Sequence, residues 1–150
     1  MNIEQGTTKT KVWIYALVAV FALVGLADAT YLTAQHLSGA NLQCSVISGC
    51  NEVLASPYAK IGNIPLSGLG AIAYFVVFSI ATLIAFNYRG LKIILLIIVS
   101  MMALTSLWLI YLQAFVIRHF CQYCLLSAAV CFTLFGLTLF ARFKENRKLA

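Results

Sequence analysis

The sequence predicts an all-α membrane protein: a four-transmembrane-helix bundle with a short helix in its first outer loop. Three observations carry that expectation. Of 150 residues, 63% are hydrophobic and only 9% are charged, whereas a soluble domain carries about 25% charged residues. So little charge leaves no water-facing surface to build. Four apolar runs are each long enough for a hydrocarbon core of ~30 Å, which takes about 20 helical residues. The basic residues lie between those runs rather than along one amphipathic stretch, so they set topology. The net charge of +6 therefore points to membrane lipid and not to nucleic acid. The length suits one compact unit, residues 1–150, with no separate soluble domain.

In lipid every backbone polar group needs an internal partner, so each apolar run must be helical. The first run covers about 12–37, behind Lys9 and Lys11. Its basic start and Ala27-Asp28-Ala29 loosely match a secretory leader and cleavage site. The apolar stretch is too long for that, and helix-compatible residues follow Asp28, so a spanning helix is expected. A carboxylate near mid-membrane costs ~2.5–3.5 kcal/mol on insertion scales and marks function by default. Asp28 is read first as a protonated or hydrogen-bonded residue joining helices, with a proton route as the alternative. His36, near the outer end, is expected at the interface, with proton donation as its second reading. Trp13 and Trp108 read as interface and packing residues.

An outer loop follows over about 38–65. Its "CNEVLASPY" stretch has an apolar Val53-Leu54-Ala55 patch and stops at Pro57, which predicts a short helix lying on the bundle. "IGNIPLSG" supplies the turn residues Gly62, Asn63 and Pro65. The remaining helices are expected over about 66–86, 91–117 and 121–143. The third is the longest and should tilt or protrude.

Eight of the ten Lys and Arg residues flank one side of these spans: Lys9, Lys11, Arg89, Lys92, Arg142, Lys144, Arg147 and Lys148. Only Lys60 and Arg118 fall on the other. The positive-inside rule then puts both termini in the cytoplasm and the loop outside.

With that topology, Cys44 and Cys50 in the loop and Cys121 and Cys124 at the start of the fourth helix all face one side. That side is an oxidising compartment, where disulfides persist. Residues i and i+3 of a helix have Cβ atoms ~5–6 Å apart, and a disulfide wants ~3.5–4.5 Å. Slight tightening of the first turn would bridge Cys121 and Cys124, and little motion would reopen them. A helix N-terminus favours a thiolate, and Arg118 and His119 lie just upstream. Two other readings compete. A staple between near neighbours closes almost no loop and stabilises little. A Cys₄ zinc site is poorly matched, because the Cys44–Cys50 spacing exceeds the usual C-x₂₋₄-C. Redox chemistry is the favoured reading, with no metal. Cys131, inside an apolar run, reads as a small packing hydrophobe.

Redox use sets an energetic condition. A strongly oxidising disulfide near ~−120 mV lies ~180 mV above structural ones, about 8 kcal/mol for two electrons. Both pairs must therefore be strained or thiolate-stabilised, which suits short loops and a helix start.

Taken in order, a C-x₅-C loop pair, Ser56 six residues later, "GNIPLSGLG" opening a helix and a C-x-x-C starting the last helix resemble the vitamin K epoxide reductase family. "YLTAQH" ending the first helix and the close-set loop cysteines resemble its bacterial branch. The likeness covers essentially the whole chain, and it is the ordered set that is specific. The four-helix DsbB proteins, an unrelated analogue, carry their C-x-x-C in the first loop instead. The resemblance implies a bundle around a quinone, ubiquinone or menaquinone, in a prokaryotic cytoplasmic membrane. It implies that Cys44 exchanges with a thioredoxin-fold protein, Cys50 passes electrons to Cys121, and Cys124 faces the quinone. Because the chain stops soon after its fourth helix, the expected partner is a separate DsbA-like protein. The vertebrate enzyme has a tyrosine one turn after its second active-site cysteine; here that position is Ala128, which favours quinone over epoxide reduction. Ser56 is the first candidate to meet a quinone carbonyl, with Ser67 and Gln113 behind it. A hydroxyl near a helix end is also a common cap. Two further readings are an inward-to-outward electron carrier, for which no cytoplasmic thiols are evident, and a non-catalytic membrane subunit with staple disulfides.

Overall fold

The computed structural model describes residues 2–39, 44 and 49–149. Its elements in chain order are α1 (Asn2–Ser38), α2 (Cys50–Ala55), a 3₁₀ turn (Pro57–Ala59), strands β1 (Lys60–Ile61) and β2 (Ile64–Pro65), α3 (Leu66–Ala85), a second 3₁₀ turn (Arg89–Leu91), α4 (Lys92–Tyr111), a π-helical turn (Leu112–Ile117) and α5 (Gln122–Leu149). Four stretches are long and apolar enough to cross a membrane: Val12–Ser38, Leu66–Ala85, Lys92–Ile117 and Gln122–Arg147. The molecule is an all-α membrane bundle. Its strands are a two-residue antiparallel ladder, Lys60 opposite Pro65 and Ile61 opposite Ile64, closed by Gly62 and Asn63 in the loop.

Helix ends depart from the expected bounds where apolar pattern and helix are different things. α1 begins at Asn2 rather than near residue 12, and α5 runs to Leu149 rather than 143. Apolar pattern marks what lipid or protein covers. A hydrogen-bond ladder, once nucleated, propagates into polar flanks at little cost. The short loop helix stops at Ala55, ahead of Pro57, because the residue before proline avoids helical angles. The third span does not continue as one regular helix. Its last six residues widen into the π turn, and Arg118 ends it in a left-handed conformation (φ 57°). Such turns tend to occur at functional sites.

Two packed clusters build the interior. The larger runs along the bundle, from Tyr15, Val18 and Ala22 of α1 through Tyr74, Val77 and Ala81 of α3 to Leu95, Val99, Val130 and Leu134 of α4 and α5. Residues such as Ile72, Phe75, Ile97 and Phe140 are exposed, the outward apolar face that lipid covers. Close approach of α1 to α3 depends on Gly25. A Cβ there would run into the Tyr74 ring. That ring is buried, and its hydroxyl is tied to Ser127 and Cys131 of α5, so it has nowhere to move. At the far end Lys92 Nζ reaches both carboxylate oxygens of Glu145, at 2.7 and 2.8 Å, joining α4 to α5. The second cluster sits at the opposite end and holds Leu32, Cys50, Val53 and Cys121.

Candidate active site

The end of the bundle that holds the smaller cluster gathers the end of α1, the start of α3, the π turn, the start of α5 and the loop elements over them. Cys44 and Cys50 form a disulfide there, with Cα atoms 6.4 Å apart. Cys44 is partly exposed, whereas Cys50 is 1% exposed and packs in the same cluster as Cys121, at 0%. Gly49 makes that packing possible. It has φ 156°, and a Cβ on it would lie 2.8 Å from the Phe120 carbonyl and 3.1 Å from His119 Cβ. The backbone ahead of Cys50 thus rests directly on the turn ahead of Cys121.

Cys121, Cys124 and Cys131 are free thiols. Cys121 occupies the N-cap of α5, since its carbonyl accepts the Leu125 amide at 3.0 Å. Its sulfur does what a capping oxygen does, accepting from donors left unpaired at a helix start. The Cys124 thiol is the foremost of these donors, and the backbone N–H groups of Cys124 and Tyr123 add to it. Together they hold the Cys121 thiol at about 7, down from the ordinary 9.0, against burial and the nearby Asp28 carboxylate. The thiolate is therefore present above about pH 7 and lost below it. We expect thiolate absorbance of the reduced protein to rise through a midpoint near pH 7, where an ordinary thiol of pKa 9 is only ~1% ionised. Replacing Cys124 by alanine should move that midpoint upward. A wild-type protein with no thiolate below pH 8 would refute this account.

Beside the thiols lies a cavity of about 550 Å³, within the ~300–1,000 Å³ usual for ligand sites. Its wall is apolar, with Leu109, Ile110, Ala128 and Leu32 among its residues, and Cys124 opens on it. Ile97 and Met101 line it while also being exposed on the bundle surface, so it reaches toward lipid. The volume, the apolar wall and a thiol at its edge fit a quinone head group. Among the described residues no group of His, Cys, Asp or Glu side chains is placed to hold a metal ion.

All three residues put forward as quinone donors line this cavity, but their hydrogen bonds distinguish them. Ser56 Oγ donates to the Val53 carbonyl at 2.7 Å, so its proton ends α2 instead of facing the cavity. Ser67 pairs with Thr33 Oγ1 at 3.1 Å. Thr33 Oγ1 is the donor of that pair and also reaches the Ala29 carbonyl at 2.7 Å, so Ser67 accepts. Gln113 Oε1 accepts the Cys121 amide at 3.1 Å. Three cavity residues carry a network not anticipated from the sequence. The Tyr74 hydroxyl bonds the Ser127 carbonyl (2.9 Å), Ser127 Oγ (2.8 Å) and Cys131 Sγ (3.1 Å). Cys131 is thus a hydrogen-bonded wall residue as well as a packing one. His36 also reaches the cavity wall. Asp28 is 9% exposed, and among the described residues its Oδ2 has no hydrogen-bond partner, so that oxygen makes no helix-joining hydrogen bond there.

Comparison with known proteins agrees with the ordered motifs. An Arabidopsis thaliana protein named thiol-disulfide oxidoreductase LTO1 is 29% identical over 122 residues, covering 75% of this chain and 32% of that protein. The chain thus spans about a third of the length of that relative. Residues 16–139, from within α1 to within α5, match the Vitamin K epoxide reductase family. With both cysteine pairs, the loop helix and the quinone-sized cavity inside the matched span, the chain belongs to the vitamin K epoxide reductase family.

Proposed function

We propose that the chain is a quinone-dependent thiol oxidoreductase that reoxidises a DsbA-like thioredoxin-fold protein and so sustains disulfide formation. One observation carries this reading: the graded placement of the sulfurs. Cys44 is reachable, Cys50 and Cys121 share one packed cluster, and Cys124 opens on an apolar cavity. The printed name of the Arabidopsis relative, a thiol-disulfide oxidoreductase, supports the same class of chemistry.

In the relay, a partner thiolate attacks Cys44 and breaks the Cys44–Cys50 bond, freeing the Cys50 thiolate. The partner's second thiolate then releases the oxidised partner and leaves a Cys44 thiol. Cys50 attacks Cys121 of a closed Cys121–Cys124 bond and frees Cys124. Cys44 then attacks Cys50, re-forming Cys44–Cys50 and releasing Cys121, whose lowered pKa speeds that second departure. Two electrons now reside on Cys121 and Cys124, the state of the sulfurs described above. A bound quinone, ubiquinone or menaquinone, supplies the two-electron acceptor at the cavity. Cys121 then closes on Cys124, and both thiol protons are accounted for in the quinol. Ala128 on the cavity wall, with no hydroxyl to offer, favours quinone over epoxide as the substrate.

Charge placement supports an orientation with the cysteine end outside a prokaryotic cytoplasmic membrane and both termini inside. The test is purified protein in lipid discs, with a reduced DsbA-like partner and ubiquinone or menaquinone. One quinol per partner disulfide is expected, with no turnover beyond the protein's own disulfide equivalents when quinone is omitted. Thiols that never change redox state would leave a non-catalytic subunit with staple disulfides as the reading.

A further inference from the structure

Gln113 is 2% exposed, sits in the π turn and lines the cavity. Its carboxamide has two ends with different chemistry. The Cys121 amide can only donate, so the atom that meets it at 3.1 Å must be the oxygen. The amide plane then turns Nε2 away from Cys121, and among the described residues no acceptor meets that NH₂ group. A donor on a cavity wall with no acceptor in the protein is placed to be met by a ligand's acceptor atom.

Two of the neighbouring hydroxyl groups are engaged elsewhere: Ser56 donates to Val53, and Tyr74 pairs with Ser127 and Cys131, while Ser67 accepts from Thr33. Ser106, two turns earlier on the same buried face of α4, also lines the cavity. It lies farther along the chain from the cysteines and has no tie to them. Among the described residues, Gln113 is the cavity residue whose side chain hydrogen-bonds the Cys121 amide.

We propose that Gln113 is a two-ended positioning residue: its oxygen fixes the Cys121 amide while its NH₂ group donates to a carbonyl oxygen of the quinone. This rests on the quinone reading above. One rigid amide would then set the acceptor's head group in register with Cys121 and, one turn on, Cys124. Holding reacting groups in such register is where much of a rate enhancement arises. The π turn places the residue there, because it delivers buried Leu112 and Gln113 at the point where α4 must end against the start of α5.

The test measures equilibrium binding to fully oxidised protein, in which no electrons move. Two ligands are compared: a short-chain ubiquinone, and a hydrocarbon analogue with both carbonyls replaced by C–H. Gln113→Leu should weaken ubiquinone about tenfold, the size of one lost hydrogen bond, and leave the analogue within about twofold. Gln113→Asn, which keeps a polar amide but is one methylene too short to serve both ends, should also lose ubiquinone affinity selectively. Unchanged ubiquinone affinity in both variants, or a parallel loss of both ligands, would overturn the proposal. Wild-type protein that binds no ubiquinone at all would instead overturn the quinone reading on which it rests.

Discussion

Replacing Cys124 with alanine will trap a disulfide between Cys50 and Cys121 and cut turnover on the order of a thousandfold or more. Without Cys124, the Cys121 thiolate has no partner on its own helix. The sulfur packed in its cluster is Cys50, which is held in a bond with Cys44. Attack at Cys50 forms the Cys50–Cys121 bond and releases Cys44 as a thiol. Thiolate character at the attacking sulfur sets the rate of such exchange, and Cys121 sits at a helix N-cap that supplies it. Removing Cys124 also removes the foremost donor to that sulfur, so the trap should form slowly near neutral pH and faster as pH rises. Mass analysis of peptides after blocking free thiols should find Cys44 and Cys131 labelled, and Cys50 joined to Cys121. A variant that retains Cys44–Cys50 with Cys121 free, even after long incubation at high pH, would show that the two sulfurs do not exchange. The relay would then lack its middle step.

What was legible in the sequence follows from which physical forces act locally. Apolar runs and their flanking charges reveal spans because lipid imposes one requirement on every residue within it. The order of cysteine pairs is equally plain, since chain position and topology place all four at one end. Residues whose role depends on a second element are harder. Ser56 looked like a quinone donor by position, yet its hydroxyl closes the last turn of α2 on Val53. Nothing local separates a cap from a ligand contact when both need an exposed hydroxyl. Gln113 was visible as a polar residue in an apolar span, but its bond to Cys121 crosses the reversal between α4 and α5. The π turn itself has no residue signature in "LQAFVI". Gly49 has no signal of its own in the sequence; the Phe120 carbonyl, 2.8 Å from where its Cβ would lie, shows why nothing larger fits. Asp28 stood out by cost alone, and cost does not say which atoms surround it.

Replacing Cys44 with alanine will abolish oxidation of the thioredoxin-fold partner while leaving the bundle folded. The two loop sulfurs differ sharply in access: Cys44 is partly exposed, whereas Cys50 is sealed beside Cys121. A folded partner therefore reaches Cys44 first, and no other sulfur offers it a route. The expected loss is on the order of a thousandfold or more, as for removal of an attacking or attacked group in other enzymes. Stability should change far less. The lost bond spans six residues in sequence, and chain entropy gives so short a closure about 2 kcal/mol. The larger core cluster, which holds the bundle together, contains neither loop cysteine. Helical circular dichroism should be unchanged and the melting temperature lower by at most about 10 °C. Cys50→Ala makes the complementary case, since Cys44 then captures the partner with no neighbour to release it. A partner–Cys44 mixed disulfide should accumulate. Normal partner oxidation by Cys44→Ala would move the receiving role to another sulfur, and with Cys50 buried at 1% exposure that sulfur would need the loop to open first.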